Sequence, residues 1–171
     1  MRNTWLSFDF DASFKEQMFT INATLDFNAI DVMDYHNIHM TSVFFGKKLK
    51  GLDQETLIDI NSVIAQCSQE VSSIELRFDR FSLFPPNKNN LVVALYENND
   101  HLTRLVNDLK TSLPEYSDTT AHFIPHITIG RLNTGHQIEL HEIEHYPDIT
   151  IHGLALDGDR IKHMNNQYAF K

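Results

Sequence analysis

Apolar residues recur along this chain in two rhythms, and these divide it into short strands and helices in a repeating order. Trp5 to Phe10 is short and aromatic-rich, as a strand is. Phe14, Met18, Ile21 and Leu25 then mark one face of a helix, with Ser13-x-x-Glu16 as its capping box. Ile38 to Phe45 reads as a strand that Gly46 ends. A second helix starts near Asp53 and buries Leu57, Ile60, Ile64 and Cys67. Ile74, Leu76 and Phe78 alternate, and the phase then shifts to Phe81 and Leu83, which predicts a bulge. Pro85 to Asn90 is a turn-rich loop, and Leu91 to Leu95 a continuous apolar strand. Asp100 caps a third helix with Leu102, Leu105, Val106, Leu109 and Leu113 on its apolar face, and Pro114 stops it. Ile124 to Leu132, Ile138 to Leu140, Ile149 to Leu156 and Arg160 to Phe170 read as strands.

One pattern occurs twice: a strand, a helix, then a strand carrying His-x-Thr. Its first copy runs from Trp5 to Gly46 and its second from Leu91 to Leu132. Two such units packed about a pseudo-twofold axis would set the two His-x-Thr strands side by side. The expected class is α+β, a two-lobed fold of antiparallel-rich sheets with flanking helices. We expect one domain over 1–171, with each lobe drawing on both halves of the chain.

Composition narrows the partners. The net charge is −9, the wrong sign for a general binder of long duplex nucleic acid, which works by neutralising phosphates. It leaves room for a small nucleotide or short oligonucleotide in a local pocket, and it argues against an anionic membrane surface. Cys67 is the single cysteine, so no disulfide framework is possible within the chain, which fits a reducing compartment. No apolar run approaches membrane-spanning length, and the first residues lack a signal-peptide core. These features predict a cytoplasmic or nuclear protein acting as a monomer.

The chemistry lies in His39-Met40-Thr41 and His126-Ile127-Thr128. Side chains at i and i+2 of a strand share a face, so each histidine projects with its threonine while Ile127 and Ile129 point into a core. Phosphodiester cleavage needs a base for the attacking hydroxyl and an acid for the leaving oxygen. Histidine, with an unperturbed pKa of about 6.5, can be either. Threonine hydroxyls can donate to the non-bridging oxygens as charge builds there. One His-x-Thr means little among ten histidines; two in matching contexts point to a functional pair.

With these motifs the chain resembles the two-histidine (2H) phosphoesterase superfamily, also called LigT-like. Phe123 to Arg131 is similar to the family's second motif and His39 to Gly46 to its first, with Ser42 standing where the family usually has an apolar residue. The resemblance implies His39 and His126 as the catalytic pair, Thr41 and Thr128 as phosphate partners, and chemistry that needs neither metal nor cofactor. It implies RNA-type phosphodiesters in small nucleotides as substrates: 2′,3′-cyclic phosphates, 2′–5′-linked oligoadenylates, cyclic oligonucleotide second messengers or the 3′ ends of small RNAs. Members serve RNA metabolism or, in viruses, the removal of immune messengers. The alternative is a non-catalytic nucleotide-binding module on the same fold.

Two further residues are candidates for the substrate. Arg131 can reach a phosphate from the end of its strand, and Tyr168 can stack on a base. His141-Glu142-Ile143-Glu144-His145 fits a zinc-protease pattern, but that chemistry needs a helix, and the neighbouring Ile138, Leu140 and Tyr146-Pro147 favour a strand. His36 and His122, near the motifs, are placed to line the pocket, but exposed loop positions are the better reading.

Overall fold

Two antiparallel sheets carry the chain, and its strands are dealt between them in an order that sequence alone does not give. The computed structural model describes residues 3–25, 29–84, 90–120, 122–135, 146–158, 161 and 164–171. The strands are β1 (Thr4–Phe10), β2 (Ile30–Val32), β3 (Thr41–Gly46), β4 (Ile74–Leu76), β5 (Phe78–Phe84), β6 (Leu91–Tyr96), β7 (His126–Leu132), β8 (Ile149–Gly158) and β9 (Gln167–Ala169). The first sheet has the order β3-β1-β8-β4, with β9 also paired to β8; the second has the order β2-β7-β6-β5. Three helices, α1 (Ala12–Asn22), α2 (Gln54–Gln69) and α3 (Asp100–Ser112), complete the described α+β architecture.

The repeated strand–helix–strand unit is present in each sheet. In the first sheet β1 leads through α1 to its antiparallel partner β3; in the second, β6 leads through α3 to its antiparallel partner β7. The two His-x-Thr strands are therefore not neighbours in one sheet, contrary to the expected side-by-side arrangement. β3 is an edge of the first sheet and β7 lies inside the second, because β8 and β2 return from elsewhere in the chain to flank the units.

Local chemistry explains most element boundaries and corrects some. Asp53 caps α2 by accepting from the Thr56 amide at 2.9 Å. α3 is capped by Asn99, which accepts from the amides of His101 and Leu102; Asp100 is instead the first helical residue, where its carboxylate meets the positive end of the helix dipole. α1 starts directly from Asp11, whose backbone is still extended after β1, so Ser13 falls inside the first turn and caps nothing. On α2 the buried stripe ends on Ser68 rather than Cys67, because the Ser68 hydroxyl donates to the Ile64 carbonyl and can be buried without loss. Cys67 is half-buried, and burial, ahead of the nearby Glu70 and Asp108, pushes its thiol pKa up.

The expected phase shift after Phe78 is real. Phe78 pairs with Tyr96 and Arg80 with Leu95, so Asp79 is the extra residue. The chain also changes sheets here, since β4 pairs with β8 and β5 with β6. The expected strand Ile138 to Leu140 and the loop before Asn90 lie outside the described residues, as do His141 and His145. The expected strand Ile149 to Leu156 is β8, and of the expected strand Arg160 to Phe170 only β9 is a strand among the described residues. No helix among the described residues is long and apolar enough to cross a membrane.

Candidate active site

His39 precedes β3, on an extended stretch after a short 3-10 turn at Tyr35–Asn37 that Asp34 caps through the His36 amide. Its neighbours Ile38 and Met40 are buried and turn inward, so His39 turns outward. The Met40 carbonyl accepts from the Phe8 amide at 2.9 Å and ties the stretch to β1. His126 begins β7 between buried Pro125 and Ile127, and the Pro125 carbonyl accepts from the Tyr96 amide at 3.0 Å. The two histidines are thus seated alike, His39 just ahead of β3 of the first sheet and His126 at the start of β7 of the second.

Their ring nitrogens are committed alike as well. His39 Nδ1 lies 2.6 Å from the Asn37 carbonyl and His126 Nδ1 lies 2.7 Å from the Ile124 carbonyl. A carbonyl only accepts, so Nδ1 carries a proton in both rings, and Nε2 has no hydrogen-bond partner among the described residues. Each ring also leans on an aromatic neighbour. Trp5 of β1 sits 5.2 Å from His39, centroid to centroid and tilted 32°; Phe84 of β5 sits 4.8 Å from His126, tilted 31°. Burial lowers the His126 pKa, the charge of His39 lowers it further, and the hydrogen bond to Ile124 only partly opposes them.

Both strands carry a bulge at the same place, one residue past the threonine. Thr41 pairs with Ser7 and Val43 with Leu6, leaving Ser42 as the extra residue; Thr128 pairs with Val93 and Gly130 with Val92, leaving Ile129. Ser42 is buried, and its hydroxyl donates to the Leu6 carbonyl at 3.1 Å, which accounts for a polar residue at this position. Gly130 is required at the second bulge, since a Cβ there would lie 2.6 Å from the Asp31 carbonyl of β2. Among the described residues the hydroxyls of Thr41 and Thr128, both half-buried, have no protein partner.

The second bulge also decides where Arg131 points. Strict alternation would put it opposite Thr128, but the extra residue re-phases the strand. Arg131 pairs with Leu91, two residues from the Val93 that faces Thr128, and so returns to the face of His126 and Thr128, exposed. Tyr168 is different. It pairs with Leu154, which pairs with Phe8, and this places it on the opposite face from Trp5, Ser7 and Asp9. It is buried, its phenol donates to Asn61 of α2 at 2.9 Å, and burial pushes its pKa up to about 12. Tyr168 is thus a core residue under α2, and the expected base-stacking place for it is withdrawn.

Beside His39 opens a cavity of about 320 Å³ lined by Trp5, Ser7 and Asp9 of β1, Lys15 of α1, His36 to His39, and Ala155, Asp157 and Gly158 of β8. Ser7 is buried and donates its hydroxyl to the Asp157 carboxylate. The alternation of Trp5, Ser7 and Asp9 against Leu6, Phe8 and Phe10 carried the signal for this face. Asp157 had none, since it lies far from Ser7 in sequence. A larger cavity, about 650 Å³, opens among Cys67, Ile74, Arg104 and Asp108 and includes neither histidine. No group of three or more potential metal ligands is found among the described residues.

The model of the family described as the 2′-5′ RNA ligase superfamily matches residues 19–151. Among solved structures, E. coli LigT complexed with phosphate matches with a TM-score of 0.71 and 16% identity, over 99% of this chain and 98% of that one. The protein TT0787 of Thermus thermophilus matches with a TM-score of 0.71 and 16% identity, over 99% and 95%. LigT complexed with 3′-AMP gives a TM-score of 0.68 and 17% identity, over 99% and 95%. At these identities the likeness is one of fold. No curated protein matches the chain.

Proposed function

Since the chain belongs to the 2′-5′ RNA ligase superfamily, the 2H phosphoesterases, we propose that it is a phosphodiesterase acting on RNA-type linkages in small nucleotides, with His39 and His126 as its acid and base. The observation that carries this is the matched seating of the two histidines, one from each sheet, each with Nδ1 tied to a carbonyl and Nε2 free. Because each sheet supplies one of the pair, the whole chain works as one domain.

His126 starts as the base. Burial and the charge of His39 both disfavour its protonated form, which suits a group that must begin neutral. Its Nε2 takes the proton of a ribose hydroxyl, whose oxygen attacks the adjacent phosphorus. The bond to the leaving oxygen breaks as that oxygen takes the proton from His39 Nε2, and a cyclic phosphate forms. Water then opens the strained ring with the two histidines in exchanged roles, or the reaction stops at the cyclic product. Run backwards, the first step joins a cyclic phosphate to a hydroxyl. Thr41 and Thr128 donate to the non-bridging oxygens, and Arg131 supplies a cation on the same face as Thr128.

The seated histidines need no metal or cofactor for these proton transfers. The substrates we favour are 2′,3′-cyclic phosphates, 2′–5′-linked oligoadenylates and cyclic oligonucleotide messengers, acted on in the cytoplasm or nucleus. The experiment is a panel of these nucleotides incubated with the purified protein in excess chelator, with products resolved by chromatography. Turnover of at least one is expected. No turnover with or without added divalent metal would overturn the reading, and turnover only with metal would replace the mechanism.

A further inference from the structure

We propose that the cavity beside His39 is a nucleoside subsite in which the Asp157 carboxylate selects for hydrogen-bond donors on the nucleoside. The inference rests on the reading above to the extent that it places the phosphate at the two histidines.

The cavity opens against the ring of His39 itself, so a nucleoside attached to a phosphate held there has this space next to it. Its volume of about 320 Å³ is of the order expected for small-molecule sites. Trp5 forms one wall. Gly158 sits at the end of β8 with φ +95°, and any Cβ there would collide with the Asn3 carbonyl and crowd the Trp5 ring. Glycine here therefore leaves room for the indole as well as allowing the turn.

Charge argues for a nucleoside rather than a second phosphate. Asp9 and Asp157 both line the space. The one lysine there, Lys15, holds its ammonium 5.4 Å from the centroid of the Phe10 ring. A second phosphate would meet two carboxylates. A neutral nucleoside would instead offer its donors to them.

Asp157 is pre-set for that task. Ser7, buried in the sheet, donates to one carboxylate oxygen and holds it, leaving the other oxygen to accept from the ligand. An ionised carboxylate accepts only, so it favours an exocyclic amino group or a ribose cis-diol and penalises analogues lacking them. Asp157 is thus a specificity-determining residue, distinct from the proton-transfer pair.

Trp5 is the sole tryptophan and reports on this cavity directly, without turnover. The test titrates wild-type protein with adenosine 5′-monophosphate, its purine riboside counterpart lacking the amino group, its 2′-deoxy counterpart lacking the diol, and inorganic phosphate, reading Trp5 fluorescence. Adenosine 5′-monophosphate should change the emission beyond any change that inorganic phosphate causes through His39, which lies against the Trp5 ring. At least one analogue should bind roughly tenfold more weakly, the scale set by a charged acceptor left without its donor; which analogue does so tells base from sugar. In the near-isosteric Asp157→Asn that difference should vanish. Equal affinities for all three nucleotides in wild type, a difference that survives in Asp157→Asn, or no response of Trp5 would overturn the subsite. Selective binding with no phosphodiester turned over would instead sink the proposed activity and leave the subsite standing; turnover without selectivity would do the reverse.

Discussion

The charge of His39 lowers the pKa of His126, adding to a larger depression from burial. Of two rings seated by the same backbone hydrogen bond, His126 is thus held toward its neutral form. An acid–base pair needs one member to begin neutral and the other charged.

The pH profile of kcat/KM should be bell-shaped. With His126 as the proposed base, activity requires it neutral, and its pKa is depressed below the ordinary value of about 6.5. The acid limb should therefore fall off below pH 6.5, while the alkaline limb reports loss of the general acid. An acid limb centred above pH 6.5 would contradict the assignment of His126 as base.

Replacing either histidine should slow turnover by roughly 10²–10⁴-fold. His39→Ala combined with His126→Ala should cost little more than the worse single change, because both act in one mechanism. Thr41→Ala and Thr128→Ala should cost less, as each removes one donor. Rates are to be measured at saturating substrate, with circular dichroism confirming the fold. Full activity in His126→Ala would end the proposal.

The proposed mechanism takes a neighbouring ribose hydroxyl as nucleophile, because it is already held beside the phosphorus. A ribonucleotide substrate should be cleaved, and its analogue lacking the adjacent hydroxyl should not. The comparison is of initial rates on the matched pair. Equal rates would mean that another nucleophile attacks.

Ser42→Ala should destabilise the protein by about 0.5–1.5 kcal/mol, the net worth of an ordinary hydrogen bond, because the Leu6 carbonyl loses its buried donor. Urea unfolding of both proteins measures it. Unchanged stability would show that the bulge in β3 does not depend on this bond.

Sequence alone determined a good deal here. The apolar periods gave the three helices and most of the strands, because burial of a single face imposes a period that local sequence must obey. The two His-x-Thr segments were legible for the same reason: Ile38 and Met40, Pro125 and Ile127 turn inward and leave the histidines out. Tertiary structure decided the rest. Helix caps shifted by a residue or two at α1 and α3, since Ser, Asn and Asp are close competitors and the entering backbone chooses among them. The bulges at Ser42 and Ile129 depend on how each strand pairs with its neighbour, and the second of them alone brings Arg131 to the face of Thr128. Tyr168 shows the converse: its strand was foreseen in part, but only pairing to Leu154 settled which face it takes. Ser7 and Asp157 meet across 150 positions of sequence, and Phe84 reaches His126 from a separate strand. Such contacts arise from the order in which strands are laid into a sheet. That order follows from long-range packing of whole faces, and no local pattern of residues encodes it.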